Sequence, residues 1–144
     1  IRSYISTAIK KGAPILKKKI NNLKELIKNV PENKRRLVAK KRDVAVGACT
    51  IIRNENNNHL RTLYVLPEFQ NKGIGKKLWN EANKFFDQDK DTVVQVAEYT
   101  ENAINFYKKL GFVDTGKRIA QESNRLKSGA IIIEIEMVRR ARNI

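Results

Sequence analysis

The sequence predicts one mixed α/β domain, of the α+β type, in which a mostly antiparallel central sheet is flanked by helices. The 144 residues are 41% hydrophobic and 31% charged, which is typical of a single globular domain spanning residues 1–144. Helical and strand periodicities alternate in the order helix, helix, three strands, helix, strand, helix, two strands. Between residues 63 and 86 a strand runs directly into a glycine-bearing loop and a helix, and the rest of the chain is arranged around this stretch.

The first third of the chain is helical in pattern and strongly basic. Residues 1–29 show helix spacing with a break at 12–14, and Pro31 ends the second helix. Residues 1–46 contain 14 Lys and Arg against 3 Asp and Glu, in a chain with a net charge of +15. Such charge attracts a cofactor with several phosphates, a nucleic acid or an acidic protein, although it is equally typical of a solvated helix face.

Two strands follow, over residues 37–40 and 44–52, with a tight turn at 41–43. Gly47 inside the second strand indicates a bulge or a close backbone approach. Cys49, the only cysteine, is predicted to be a buried strand residue, which fits a reducing cytoplasm. No apolar run approaches the roughly 20 residues of a membrane span, and no signal peptide is recognisable, so we expect no membrane association.

The central strand begins near His59 and ends at Pro67, which cannot donate to a sheet. An amphipathic helix starts at Ile74, after a short loop containing Gly73 and Gly75. Unpaired N–H groups at a helix N-terminus, with the positive end of the helix dipole behind them, suit a phosphate or diphosphate. Residues 70–77 also carry three lysines, and the glycines allow a ligand to approach the backbone closely. An ordinary strand-to-helix turn is the alternative, and neither the P-loop nor the dinucleotide-binding pattern is present.

The second half adds a short buried strand over residues 92–97 and a helix with Thr100 as N-cap and Gly111 as C-cap. A further strand starts at 112–113, and residues 114–129 are predicted to be a long polar connection that borders an acceptor site. The last strand, over 131–138, places Glu134 and Glu136 on one face.

Two motifs carry a family resemblance: Gln70-x-x-Gly73-x-Gly75, and the run FYKKLGF at 106–112, one strand and one helix later. With the order of elements, they make residues 37–138 similar to the GCN5-related N-acetyltransferase (GNAT) family. The resemblance implies a splay between strands four and five, and the strand that usually opens the family's fold is apparently missing. It also implies direct transfer of an acetyl group from acetyl-CoA to a primary amine in a ternary complex.

The same resemblance implies roles for particular residues and no metal. Tyr107 matches the tyrosine that protonates the departing CoA thiolate. Glu98 is the first candidate for the general base, with Tyr64 or Glu134 behind it. Thr100 stands where the family often has an asparagine that touches the pantetheine arm. The residues implied in cofactor binding are Leu63, Tyr64, Val65, Gln70, Asn71, Lys72, Gly73, Ile74, Gly75, Lys76, Thr100 and Asn102.

The acceptor is left open between a small polyamine-like molecule and a peptide or protein. The basic first third favours an acidic peptide, whereas Glu98, Glu134 and Glu136 would gather a cationic amine. A basic module that binds nucleic acid or protein without turnover is the alternative function, although aromatic residues spaced for base stacking are few. The resemblance also makes a homodimer possible.

Overall fold

A computed structural model describes residues 2–3, 31–125 and 128–142. The helices predicted over residues 1–29 lie almost entirely outside the described residues. At residues 2–3 the prediction of helix is wrong, because Arg2–Ser3 forms a short strand. No helix in these described ranges is long and apolar enough to cross a membrane.

Seven strands and two helices make up the described fold. After β1 (Arg2–Ser3), three strands follow one another: β2 (Lys34–Lys41), β3 (Val44–Arg53) and β4 (Asn58–Val65). A 3₁₀ turn (Pro67–Phe69) leads into α1 (Ile74–Phe85). The chain continues with β5 (Thr92–Ala97), α2 (Glu101–Lys109), β6 (Val113–Arg125) and β7 (Ile131–Arg139).

The strands form one mostly antiparallel sheet in the order β2-β3-β4-β1-β5-β7-β6. The parallel pair β4 and β5 is in register from Asn58–Thr92 to Leu60–Val94. Beyond that point the two strands diverge, and β1 lies between them, with Ser3 paired to both Leu63 and Val96. The predicted splay between strands four and five is therefore confirmed. Arg2–Ser3 lie in the splay itself, and the other six strands fit the expectation that the family's opening strand is missing.

Both helices pack on the same face of the sheet. Leu78, Trp79 and Ala82 of α1 and Ala103 and Tyr107 of α2 belong to one core cluster. That cluster also contains alternate residues of four strands, for example Ile51, Leu63, Val96 and Ile135. The opposite face carries a smaller buried cluster of Ala48, Tyr64 and Leu66. The amphipathic pattern of the sequence thus identified the helix-facing side of the sheet.

The polar segment 114–129 is not the long connection that its composition predicts. Strand β6 extends through Arg125 and pairs with β7 at the edge of the sheet. Residues 113–118 are mostly exposed, so this strand needs few apolar residues and lacks the usual strand pattern. Its register shifts between Asp114 and Arg118, where Gly116 has a φ of 89° and donates its N–H to the Asp114 carboxylate at 2.8 Å. A bulged edge strand therefore looks like a loop in the sequence.

Asn58 fixes the start of β4 to the segment that follows α1. Its side chain is fully buried, donates to the Asp87 carbonyl at 2.8 Å and accepts from the Asp87 N–H at 3.1 Å. Its backbone N–H donates to the Asp91 carbonyl at 2.8 Å. Asn58 therefore stabilises the end at which β4 and β5 are hydrogen-bonded to each other, opposite the end at which they diverge.

Candidate active site

The loop between the 3₁₀ turn and α1 turns back on itself through two residues with positive φ, Asn71 at 62° and Gly73 at 82°. Gly73 is the N-cap of α1, and its carbonyl accepts the first intrahelical bond from Lys77 N–H at 3.0 Å. Residues 74–76 therefore present N–H groups that the helix itself does not use. No side chain in the described structure caps these groups, and the first turn contains no acidic residue. The end of the helix is thus positive and open to an anion.

The two glycines at the start of α1 have different roles. A Cβ at Gly73 would meet nothing within 4 Å, so this glycine serves the left-handed backbone conformation. A Cβ at Gly75 would lie 3.3 Å from the Phe106 ring, so Gly75 allows α1 and α2 to pack closely. Gly75 also lines the cleft described below, so the expectation that a ligand approaches the backbone of both glycines stays a prediction.

Gly47 brings α1 against the sheet, which confirms the close approach expected at this residue. A Cβ there would lie 3.0 Å from the Tyr64 carbonyl oxygen and 3.2 and 3.3 Å from side-chain atoms of Leu78 and Ile74. The β2–β3 register also shifts beside it, between Ala39 and Lys40. The start of α1 is therefore positioned by a residue on β3 that has no side chain.

A cleft of about 420 Å³ lies between this loop and α2. Seven of the twelve predicted cofactor-binding residues line it, and five do not: Leu63, Tyr64, Lys72, Ile74 and Thr100. Four lining residues were not predicted: Phe69, Phe106, Lys109 and Leu110. The seven predicted residues on the cleft wall are Val65, Gln70, Asn71, Gly73, Gly75, Lys76 and Asn102.

The mouth of the cleft is basic. Lys76 and Lys109 are part of its wall. The ammonium groups of Lys41 and Lys72 each lie 5.5 Å from the centre of the Phe69 ring, so one aromatic side chain gathers two cations. Gln70 stabilises the loop by donating its side-chain amide to the Val65 carbonyl at 3.0 Å. Cations and open amide groups therefore converge on one volume, which fits a ligand with several phosphates.

The side chains of Leu63 and Val65 point into the core, so only their main chains are available to a ligand beside β4. Tyr107 is also a core residue: it is 0% exposed, and its ring centre lies 5.3 Å from that of Phe106 and 5.4 Å from that of Phe112. Thr100 occupies the N-cap position of α2, as predicted, but its side chain does not cap the helix. Its hydroxyl instead donates to the Ala97 carbonyl at 2.6 Å.

The two carboxylates considered as bases differ in environment. Glu98 is half exposed, and its Oε2 lies 3.2 Å from Nε of Arg118, which also donates two bonds of 3.0 Å to Asp114. These bonds from Arg118 lower the pKa of the Asp114 carboxyl. Glu134, on β7, is only 3% exposed and pairs with Ala97 of the neighbouring strand β5. Glu98 is therefore held in a surface ion pair, whereas Glu134 lies within the sheet.

Two other reactive residue types lie away from the cleft. Burial raises the pKa of the Cys49 thiol far above its usual range, as expected of a buried strand residue. Burial, with a smaller contribution from the Arg61 charge, lowers the pKa of His59 to about 4. In the part of the chain that the structure describes, no group of three His, Cys, Asp or Glu residues is placed to hold a metal ion.

The fold and this site define an acetyltransferase domain, and comparison with known families agrees. The family model described as an acetyltransferase (GNAT) domain matches residues 6–126. The chain therefore belongs to the GNAT acetyltransferase family, whose members use acetyl-CoA as acetyl donor, and the resemblance in its motifs is confirmed.

Solved structures share the fold at low sequence identity. The ribosomal-protein-S18-alanine N-acetyltransferase of Escherichia coli superposes with a TM-score of 0.67 at 16% identity, over 84% of this chain and 77% of that one. A putative streptothricin acetyltransferase of Bacillus anthracis, in complex with acetyl coenzyme A, has a TM-score of 0.65 at 19% identity, over 81% of this chain and 66% of that one. The PaiA N-acetyltransferase of Thermoplasma acidophilum, in complex with coenzyme A, has a TM-score of 0.58 at 23% identity, over 75% of this chain and 61% of that one.

Proposed function

We propose that this domain binds acetyl-CoA in the cleft between the α1 loop and α2 and transfers the acetyl group directly to a primary amine in a ternary complex. One observation carries the proposal: the open N-terminus of α1 faces a basic cleft of about 420 Å³. The residues present fit the cofactor because main-chain N–H groups and lysine ammonium groups are donors for a diphosphate. We propose a cytoplasmic location, consistent with a single buried cysteine.

Acetyl-CoA, when bound, supplies a thioester whose carbonyl carbon accepts the amine. The amides of residues 71–76 and the Lys76 ammonium would bind the diphosphate, and Asn102 on α2 would contact the pantetheine arm. A main-chain N–H of β4, at residues 63–65, would donate to the carbonyl oxygen and stabilise the negative charge that develops there. The hydroxyl of Tyr107 would give its proton to the sulfur as the carbon–sulfur bond breaks.

The amine must lose a proton before it attacks, and Glu98 remains our first candidate for the base. The ion pair between Glu98 and Arg118 would have to open for that role, because the Arg118 guanidinium and the substrate amine cannot both occupy the same carboxylate oxygen. Tyr64 and Glu134 are the other candidates, and both lie on the sheet face opposite the helices. Removing the charge of Glu98 alone, as Glu98→Gln, separates these possibilities through the pH dependence of turnover.

The position of β1 has a consequence for this proposal. Ser3 pairs with Leu63, in the same gap between β4 and β5 where the thioester arm would pair with β4. We propose that the cofactor arm takes the place of these two residues when it binds. Binding of the diphosphate end does not depend on that displacement, since the cleft at α1 lies beside the gap.

The acceptor remains a small polyamine-like molecule or a peptide. Two of the solved relatives named above are described as a ribosomal-protein-S18-alanine N-acetyltransferase and a putative streptothricin acetyltransferase, so the shared fold alone does not select one class of acceptor. Membership of an acetyltransferase family favours catalysis over the alternative of a basic module without turnover.

The experiment compares CoA with pantetheine, which lacks the diphosphate, by isothermal titration calorimetry. We expect pantetheine to bind at least about 100-fold more weakly, and CoA binding to weaken as salt rises from 50 to 300 mM. Release of CoA from acetyl-CoA is then measured over a panel of amines. Tyr107→Phe should lower kcat by about 100-fold and leave the Kd for CoA unchanged. Equal affinity for CoA and pantetheine would contradict the proposal.

A further inference from the structure

The last residue of β7, Arg139, contacts both helices that border the cleft. Ile135 and Met137 of the same strand belong to the helix-facing core, so strand alternation places Arg139 on that face as well. The Nε of Arg139 donates to the carbonyl oxygen of Leu110, at the end of α2, at 3.0 Å. Its guanidinium carbon lies 5.5 Å from the centre of the Trp79 ring of α1. One half-buried side chain therefore connects α2 with α1.

Helix α2 ends in a turn that leaves one carbonyl group to another part of the chain. The Phe112 N–H donates to the Tyr107 carbonyl at 3.0 Å. The Gly111 N–H donates to the Lys108 carbonyl, also at 3.0 Å, and Gly111 has a φ of 96°. This is the Schellman pattern, in which the turn itself does not pair the carbonyl of the C-cap residue, Leu110. The guanidinium supplies that donor and adds a positive charge at the negative end of the helix dipole.

The Arg139 side chain packs directly against the backbone of this turn. A Cβ at Gly111 would lie 3.6 Å from Nε of Arg139, and 3.9 and 4.0 Å from its Cγ and Cδ. Among the described residues, no carboxylate forms an ion pair with Arg139. The specific polar contact of this cation is therefore the carbonyl at the end of α2.

The residue whose carbonyl is bound is part of the cleft wall. Leu110 lines the cleft next to Lys109, one turn after Phe106. The Tyr107 ring is fixed separately, by ring contacts of 5.3 Å with Phe106 and 5.4 Å with Phe112. A shift of the chain at Leu110 would therefore move the wall of the cleft more than it would move the proposed acid.

We infer that Arg139 is a positioning residue for the cofactor, because its bond to the Leu110 carbonyl fixes the end of α2 relative to α1. The inference rests on the proposed binding of acetyl-CoA in this cleft. Arg139 is not among the residues that line the cleft in the described structure, so it acts through Leu110. Coupling of this kind is reciprocal: if the bond strengthens CoA binding, CoA must stabilise the bond by the same factor.

The test compares two substitutions of Arg139. Arg139→Met keeps an apolar stem and removes the donor, whereas in Arg139→Gln the amide nitrogen lies as many bonds from the backbone as Nε. Arg139→Met should raise the Kd for CoA, measured by calorimetry, and the KM for acetyl-CoA about 3- to 10-fold, with kcat within about twofold. Arg139→Gln should keep all three values within about twofold of the wild type, because it can still donate to Leu110.

The matched control is Arg140→Met. Arg140 is the exposed neighbour of Arg139 and forms its ion pair with Asp91, at 3.0 Å. This variant should leave the Kd for CoA and the KM for acetyl-CoA unchanged. A residue that only stabilises the fold would lower the free energy of unfolding without changing the Kd of the folded protein. An unchanged Kd in folded Arg139→Met would overturn the inference, as would an equal rise in Arg139→Gln or in the control.

A measurement on the wild type covers the case in which Arg139→Met does not fold. Exchange of the Arg139 Nε–H proton with solvent, measured by NMR, should slow about 3- to 10-fold when CoA saturates the protein, whereas exchange at Arg140 should not change. Unchanged exchange at Arg139 would overturn the inference. A wild type that binds no CoA would overturn the proposed function together with this inference, whereas tight CoA binding with an unchanged Kd in Arg139→Met would overturn this inference alone.

Discussion

The close approach of β3 and α1 at Gly47 gives the most quantitative prediction of how the fold positions the cofactor loop. In Gly47→Ala the new Cβ would lie 3.0 Å from the Tyr64 carbonyl oxygen, where ordinary contacts are 3.4–4 Å. This oxygen belongs to the backbone of a central strand and cannot rotate away. The methyl group would also press on Leu78 and Ile74, at 3.2 and 3.3 Å, so α1 must shift away from the sheet at its first turn.

We expect this overpacking to lower the free energy of unfolding by about 1–3 kcal/mol, measured by urea denaturation. Because Ile74 begins α1, the same shift should move the amides of residues 74–76 and weaken CoA binding several-fold in calorimetry. The control is Gly116→Ala, where a Cβ meets nothing within 4 Å but φ is 89°. In that variant, backbone strain should lower the free energy of unfolding by about 1 kcal/mol, while the affinity for CoA stays unchanged. Full stability and unchanged CoA affinity in Gly47→Ala would refute the reasoning.

Three further predictions test other parts of the structure. Asn58→Ala should lower the free energy of unfolding by about 2–3 kcal/mol in urea denaturation, because it removes a fully buried side chain and leaves the half-buried backbone groups of Asp87 without their partner. The exposed control Asn56→Ala should change it by less than about 0.5 kcal/mol. A loss no larger than the control's would contradict the role of Asn58. His59 has a pKa of about 4 in the fold against 6.5 unfolded, so the unfolded chain takes up the proton first as pH falls. Between pH 8 and pH 5 the free energy of unfolding of the wild type should therefore fall by about 1–2 kcal/mol more than that of His59→Gln, measured by urea denaturation. An equal fall in both proteins would argue against a buried neutral imidazole. Deletion of residues 1–3 should strengthen acetyl-CoA binding, measured by calorimetry, since the cofactor arm no longer displaces β1; weaker binding would show that β1 supports the site.

The sequence predicted those parts of the fold in which local pattern and tertiary burial agree. Strand β5 was predicted with the bounds it has, because a run of β-branched residues bounded by polar turns is buried in the middle of the sheet. Helix α1 begins at Ile74, as its apolar spacing indicates. The start of strand β6 at 112–113 was predicted, but its extension through Arg125 was missed because an exposed, bulged edge strand has no apolar alternation to detect.

For the cleft, the sequence predicted the loop but, on the opposite wall formed by α2, only Asn102. Phe106 and Lys109 were read only as part of a motif on α2, yet with Asn102 they are spaced by four and three residues and form one stripe on that helix. This spacing was visible in the sequence, whereas the direction in which the stripe faces depends on how α2 packs. The role of Gly75 could not be predicted either, because a glycine that admits a ligand and one that admits a neighbouring phenylalanine look the same in a sequence.

The most direct test of the central claim is an NMR titration of the isotope-labelled protein with CoA, in which the chemical shifts of the backbone amides are measured. If the N-terminus of α1 binds the diphosphate, the amides of residues 71–76 will show the largest shifts and will saturate together with those of Asn102 and Lys109. Saturating shifts confined to another part of the sheet, with residues 71–76 unchanged, would contradict it.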